Sequence, residues 1–250
     1  MTSRGFACAL VGLAACASAG VGAGAGDAGE DDGAPAIDAA IPNDGNLVDA
    51  PDLDAPAIDA GPVDVTLTQT TSGSVGASNS IACGNSDGTT AENSWYRIFR
   101  LADANITNGL RVTAVTFGVQ ESQGMPAVQV KIGTYSGNVQ PPPSQLDVAL
   151  ISPITAVTFN VPNTASTAPT SVTVPIIANV PALSQMVVEV FSPNLLGTSK
   201  YFYLGGNNAG EARPAYLRAP SGTCATPQPK STSVLGFPMS HLVISVSGTH

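Results

Sequence analysis

Beyond residue 65, apolar and polar side chains alternate along most of the chain. Val115, Phe117 and Val119 interleave with Thr116, Gly118 and Gln120, and Val128, Val130 and Ile132 interleave with Gln129, Lys131 and Gly133. A period of two sends successive side chains to opposite faces of an extended strand, so each segment presents one row to a core and one row away from it. Further strands are predicted over residues 65–70, 95–101, 147–151, 156–161, 171–180, 185–191, 200–204, 215–218 and 241–246. Asp87-Gly88, Asn108-Gly109, Ser136-Gly137-Asn138 and Gly205-Gly206-Asn207-Asn208 mark turns between them. No run of ten residues keeps a helical period, and residues 101–106 suit at most a short helical turn. Many short strands with this punctuation predict an all-β fold, an antiparallel β-sandwich of jelly-roll type. Pro141, Pro142 and Pro143 require an exposed loop or edge, because proline donates nothing to a strand ladder.

Before residue 65 the alternation is absent. Arg4, a short apolar run to Leu13 and small residues leading into Cys16 form the three-part pattern of a secretory signal. The run falls short of the about 20 apolar residues that a membrane-spanning helix needs. Residues 17–64 then hold eleven acidic residues and no Lys or Arg, so this stretch carries the excess behind the net charge of -9. It is built from Ala, Gly, Pro and Asp, repeats Ala-Pro-Ala-Ile-Asp-Ala at residues 34–39 and 55–60, and has no aromatic side chain. Too little apolar surface is available there to offset backbone ordering. The expected organisation is a signal peptide at 1–15, a disordered acidic tether at 16–64 with a reach of roughly several tens of Å, and one β-sandwich domain at 65–250. The domain is nearly neutral, with seven acids against eight bases beyond residue 64, and that scattering excludes a basic stripe for nucleic acid.

Leu13-Ala14-Ala15-Cys16 resembles the lipobox of bacterial lipoproteins. The resemblance implies cleavage before Cys16, acylation of that cysteine, and anchoring to the membrane of a bacterial envelope, with Ala17 pointing toward the outer membrane. An ordinary signal peptide cut near Ala15-Cys16-Ala17 or Ala17-Ser18-Ala19 would instead release a soluble secreted protein. In either case the domain meets an oxidising compartment. Cys83 and Cys224, the only cysteines in the domain, are therefore expected to form a disulfide, with two free buried thiols as the other possibility.

The residue types limit the chemistry. His241 and His250 are the only histidines, and the chain has no HExxH, no GxSxG elbow, no phosphate loop and no dinucleotide fingerprint. Glu92 and Glu189 are the carboxylate pair that a glycoside hydrolase would need, although Glu92 is also placed to meet Arg97 and Glu189 alternates outward between Val188 and Val190. Asn85, Asp87 and Glu92 place oxygen donors in a glycine-rich loop at a spacing loosely like that of a calcium site. No other cofactor is expected. Aromatic residues are the raw material of a binding face, since flat rings stack on sugars and anchor protein contacts. Tyr201 and Tyr203 share a strand face beside Asn207 and Asn208 and make the candidate patch, while Trp95, Tyr96, Phe202 and Tyr216 are divided between core and surface by the same alternation.

From Glu92 the chain reads Glu-Asn-Ser-Trp-Tyr-Arg-Ile-Phe-Arg-Leu, followed by Val115-Thr116-Phe117-Gly118-Val119, Val187-Val188-Glu189-Val190-Phe191, Tyr203-Leu204-Gly205-Gly206-Asn207-Asn208 and Gly236-Phe237-Pro238. This succession resembles a β-rich accessory domain found at the ends of secreted bacterial proteins, including some large extracellular proteases. The resemblance spans residues 83–248 and implies a β-rich fold and an extracellular setting, but no ligand or reaction. In such proteins the domain accompanies a catalytic one, whereas here it is the whole cargo. The expected function is a surface-displayed, non-enzymatic lipoprotein whose β-sandwich binds a glycan or an extracellular protein. The alternatives are a hydrolase of envelope or extracellular polymer, and a passive structural component of the envelope.

Overall fold

The computed structural model describes residues 61–221, 224 and 226–250. The predicted signal peptide, Cys16 and nearly all of the predicted tether lie outside the described residues. The rest is an antiparallel β-sandwich, as the alternation predicts. Its strands are β1 (Asp64–Thr68), β2 (Asn93–Arg100), β3 (Leu110–Gln123), β4 (Ala127–Tyr135), β5 (Ile151–Asn160), β6 (Thr170–Val180), β7 (Gln185–Ser192), β8 (Tyr201–Leu204), β9 (Gly206–Asn207), β10 (Tyr216–Ala219), β11 (Thr226–Ser231), β12 (His241–Leu242) and β13 (Ile244–Thr249). One sheet runs β1-β13-β3-β6, with β8 added beside the far end of β3; the other runs β11-β10-β2-β7-β4-β5. Strands β9 and β12 form a two-stranded ribbon.

Alternation decides which residues meet between the sheets. Trp95 and Phe99 of β2 face inward with Met186, Val188 and Val190 of β7 and with Val128, Val130 and Ile132 of β4. Val115, Phe117 and Val119 of β3 oppose them, and Phe202 meets Trp95 and Phe117 edge-to-face at 5.5 and 6.0 Å. Leu110 and Val112 join the same core although their parity is opposite to that of Val115. A bulge at Thr113 makes this possible: Val112 and Ala114 pair with Gly248 and Ser247, so one extra residue resets the alternation.

Arg97 lies on the inward row of β2 and is fully buried. Its Nη1 contacts Glu211 Oε2 at 2.7 Å and donates to Arg213 O at 2.6 Å, while Nε and Nη2 donate to Leu242 O at 3.2 and 2.6 Å. The expected Glu92–Arg97 pairing does not form. Glu92 instead faces Arg218 at 3.6 Å, because residues 92 and 97 differ in parity and leave the strand on opposite faces. Burial alone pulls the Arg97 pKa down, and the Glu211 carboxylate opposes that pull.

Three local readings differ from expectation. Residues 147–151 do not extend a strand: Asp147 accepts from Ala149 N at 2.9 Å and caps a 3-10 turn over Val148–Leu150, so β5 begins at Ile151. Strand β11 is not among the predicted strands; it contains Pro227 and Pro229, which are tolerated because it is the edge of its sheet. The turn signature at Gly205–Asn207 becomes extended chain, with Gly205 N–H bonded to Gly118 O at 2.8 Å. A Cβ on Gly205 would lie 2.4 Å from Val75 Cγ1, so only glycine allows this approach.

The expected disulfide is present. Cys83 and Cys224 are joined across a Cα–Cα distance of 5.8 Å, between the segment leading into β2 and the loop before β11. Such a bond belongs to an oxidising compartment.

The outer faces of the two sheets differ. On the six-stranded sheet, Tyr96, Ile98, Tyr135, Val187 and Tyr216 point away from the main core, and Val139 and Leu146 of the loop between β4 and β5 bury them in a second cluster. Pro141–Pro143 lie in that loop, as expected. Its backbone is tied to the proline-bearing edge by Leu146 N to Pro229 O at 2.8 Å and Ser231 N to Ser144 O at 2.9 Å. On the five-stranded sheet the described residues cover the outer face only in part: Val75 packs over Gly118 and Gly205 and Ser80 N donates to Gln120 Oε1 at 2.8 Å, while the same outer row carries Thr116, Thr173 and the tyrosines of β8.

Candidate functional site

Strand β8 pairs with the last turns of β3, with Tyr203 opposite Glu121 and Tyr201 opposite Gln123. Directly opposite residues share a face, so the inward side of this corner receives Phe202 and Leu204 and the outer side receives both tyrosines with Glu121. The predicted Tyr201–Tyr203 pair is therefore real as geometry. Their ring centroids are 5.9 Å apart, tilted by 56°, and both rings are half-buried.

Both hydroxyls are held. Tyr201 donates to Glu121 Oε1 at 2.9 Å and Tyr203 donates to Gly88 O at 3.0 Å. Partial burial raises both phenol pKa values, and the Glu121 carboxylate adds to the shift by favouring the neutral hydroxyl. The rings are thus fixed in orientation while keeping an exposed side, which lowers the ordering cost of recognising a flat ligand.

On the other side of β3, Ser122 and Thr164 exchange both backbone bonds at 3.0 Å, which seats the loop between β5 and β6 against the strand end. Between this loop and Tyr201 lies a cleft of about 580 Å³, lined by Glu121, Gln123, Asn163, Thr164 and Ser166. Sequence reasoning missed this lining. Glu121 carried a signal, as an acid on the outward row of a strong strand, but Asn163 and Ser166 come from a loop whose seat depends on a bridge 42 residues away in sequence.

The other candidates fall elsewhere. Asn207 is buried in the β9–β12 ribbon, where Nδ2 donates to Ser72 O and Ser74 O at 2.8 and 2.9 Å and Oδ1 accepts from Ala209 N at 3.0 Å. Its side chain therefore serves the fold and offers no free group to a ligand. Asn208 is exposed. His241 is also buried; Nδ1 accepts from Gly210 N at 3.0 Å, leaving Nε2 to donate to Pro238 O at 3.2 Å.

Asp87 accepts from both the backbone and the hydroxyl of Thr89, at 2.9 and 2.6 Å, and these bonds hold its carboxyl below the usual range. Asn85 contributes its backbone to the same turn, and Glu92 faces Arg218. The carboxylates of Asp87 and Glu92 are thus engaged by protein, and among the described residues no group of three His, Cys, Asp or Glu side chains comes together. Glu189 is paired with Lys131 at 3.2 Å, and the same ammonium lies 4.2 Å from the centre of the Phe191 ring. Register places Ser192 opposite Asn93, so Glu92 and Glu189 are offset by four strand positions, roughly 13 Å along the sheet. A retaining or inverting glycosidase holds its carboxylates about 5 to 9.5 Å apart.

No family model matches this chain, and no curated protein matches it. Among solved structures, it aligns with the crystal structure of the cysteine protease and lectin-like domains of Cwp84, a surface layer associated protein of Clostridium difficile. The alignment has 10% identity and a TM-score of 0.42, and it covers 64% of this chain and 32% of that one.

Proposed function

We propose that this chain is an exported envelope lipoprotein, acylated at Cys16, whose β-sandwich is a non-enzymatic module that binds a neutral glycan. The observation that carries the binding assignment is the tethered pair Tyr201 and Tyr203, half-buried on the outer sheet face beside a polar cleft. Sugar rings present a flat C–H face to aromatic rings and hydroxyls to flanking amides and carboxylates. Glu121, Gln123 and Asn163 supply the second kind of partner, and the single carboxylate favours an uncharged ligand over an acidic one.

The non-enzymatic part rests on the separation of Glu92 from Glu189 and on the cation paired with each. The lipid anchor rests on Leu13 to Cys16 alone. Two or more acyl chains are needed for stable attachment, since one chain is marginal.

A glycan array followed by calorimetric titration tests the module. Binding of a neutral oligosaccharide that Tyr201→Ala and Tyr203→Ala each weaken about tenfold or more is expected, in line with about 1.4 kcal/mol per decade. Full binding by the double variant would overturn the site. Intact-mass analysis of the mature chain tests the anchor: an acylated Cys16 terminus is expected, and an unmodified terminus near Ser18 would overturn it.

A further inference from the structure

From the last residue of β11 to the residue before β12 the chain reads Ser231-Thr232-Ser233-Val234-Leu235-Gly236-Phe237-Pro238-Met239-Ser240, without a charged side chain. It makes one tight helical turn closed at both ends. At the start, Ser231 Oγ accepts from Val234 N at 3.4 Å and Ser231 O accepts from Leu235 N at 3.1 Å. At the finish, Gly236 adopts a φ of 91°, Phe237 N reaches back to Thr232 O at 2.9 Å, and Gly236 N bonds Ser233 O at 3.0 Å. That pair of bonds is a Schellman closure, which favours glycine at the left-handed position.

The turn is also seated on the domain. Leu235 packs against the main core, and Thr232 N bonds Ala215 O at 3.0 Å. Val234, Phe237 and Met239 stay outside, at 55, 47 and 60% exposure. No other loop among the described residues exposes more than one large apolar side chain. Single exposed apolar residues are ordinary, but three on one short, rigid, uncharged turn mark a contact surface.

Backbone, size and charge together choose the occupant. Thr232, Val234, Leu235, Gly236, Phe237 and Ser240 all donate their N–H groups inside the protein, and Pro238 has none to donate. The turn can therefore leave water with most of its donors satisfied, which a lipid environment demands and a protein partner, able to supply acceptors, does not. Three side chains also fall far short of the about 800 Å² per partner that a stable protein interface buries. A lipid wedge needs only to reach about 5–10 Å into the boundary between headgroups and acyl chains. Beyond Glu211 the sequence holds no Asp or Glu, so this part of the chain brings no charge that a phosphate-bearing surface repels.

We infer that the turn from Thr232 to Ser240 is a shallow lipid-inserting wedge, with Val234, Phe237 and Met239 in the outer part of a bilayer. The inference rests on the acyl-anchor reading for delivery to a membrane. Fully extended, the chain from Cys16 to Val63 spans up to roughly 150 Å. An anchor at that distance leaves the orientation of the domain open, and the wedge sets which side meets the lipid.

The mature chain carrying Cys16→Ser cannot be acylated, so its binding to vesicles of phosphatidylethanolamine and phosphatidylglycerol reads the wedge without the anchor. Flotation with the vesicles is expected, and raised salt, which screens charge but not apolar burial, is expected not to weaken it. Joint replacement Phe237→Ser and Met239→Ser is expected to lower the partition about tenfold or more, with an unchanged urea midpoint because both side chains are exposed in the free protein. Phe237→Trp places an indole at the tip, whereas Trp95, the only native one, is fully buried. Vesicles are expected to shift the new emission to the blue, and lipids brominated in the acyl chain are expected to quench it. No flotation of the chain with the native turn, equal flotation of the serine variant, or binding lost in salt would overturn the wedge. A dimer in solution that the serine variant dissolves would overturn the lipid and assign the turn to a second copy. A native terminus without lipid overturns the anchor, and vesicle binding by the unacylated chain then still supports the wedge.

Discussion

Both sheets of the sandwich carry tyrosines on their outer faces, yet the two sets have opposite fates. On the six-stranded sheet, Tyr96, Tyr135 and Tyr216 are buried under the loop between β4 and β5. The hydroxyl of Tyr216 donates to Pro143 O at 3.0 Å and that of Tyr135 accepts from Asp147 N at 3.3 Å, so these side chains tie the loop down as well as packing beneath it. On the five-stranded sheet, Tyr201 and Tyr203 have bonded hydroxyls but rings that are only half-buried. The same residue type at the same alternation is fully buried in one place and half-buried in the other, and the extent of the covering chain decides.

The largest expected effect is on the covered face. Tyr216→Ala removes a buried ring and leaves Pro143 O without its donor, and is expected to cost about 3–5 kcal/mol in urea unfolding. The matching change on the open face, Tyr203→Ala, is expected to cost less than about 1 kcal/mol. Similar losses at both positions would erase the distinction.

Leu146→Ala tests the cover itself. Leu146 is fully buried against the tyrosines, so truncation is expected to cost about 2–4 kcal/mol and to increase binding of a hydrophobic dye. An unchanged midpoint would mean that the loop rests on the face without sealing it.

The pH dependence sharpens the contrast further. Burial pushes the Tyr216 phenol up to about 12, and Tyr96 shifts in the same direction for the same reason. The unfolded chain loses these protons near pH 10 and the folded chain keeps them, so stability is full below about pH 10 and falls as pH climbs toward 12. Urea midpoints at alkaline pH, followed with tyrosinate absorbance, check this, and Tyr216→Phe is expected to flatten the decline. At neutral pH the same variant is expected to lose only about 1 kcal/mol, the worth of one hydrogen bond.

The contrast also explains how far the amino-acid sequence could be read. Alternation identified most strands and the row that each buries, because a two-residue period is local. Strand β11 was hidden because proline argues against pairing unless the strand is known to be an edge, and edges are set by topology. The candidate patch was half legible for the same reason. Tyr201 and Tyr203 share a face by parity, but their exposure depends on how far distant chain such as Gly88 reaches over them. Asn207 reads as a turn residue and is in fact enclosed, because Ser72 and Ser74 come back from distant chain to take its amide. The paired charges Arg100, Asp103 and Arg213 had no local signature and meet only because a 3-10 turn at the end of β2 faces the approach to β10.

The pairing of β1 with β13 reaches one rung past Asp64, where Val63 and His250 exchange backbone bonds at 3.0 and 3.1 Å. The chain thus enters and ends side by side, next to the beginning of β3, while the tyrosine cleft sits at that strand's other extremity, roughly 40 Å away. A label placed at Val63 would therefore sit about a strand's length from Tyr201 and leave both rings undisturbed.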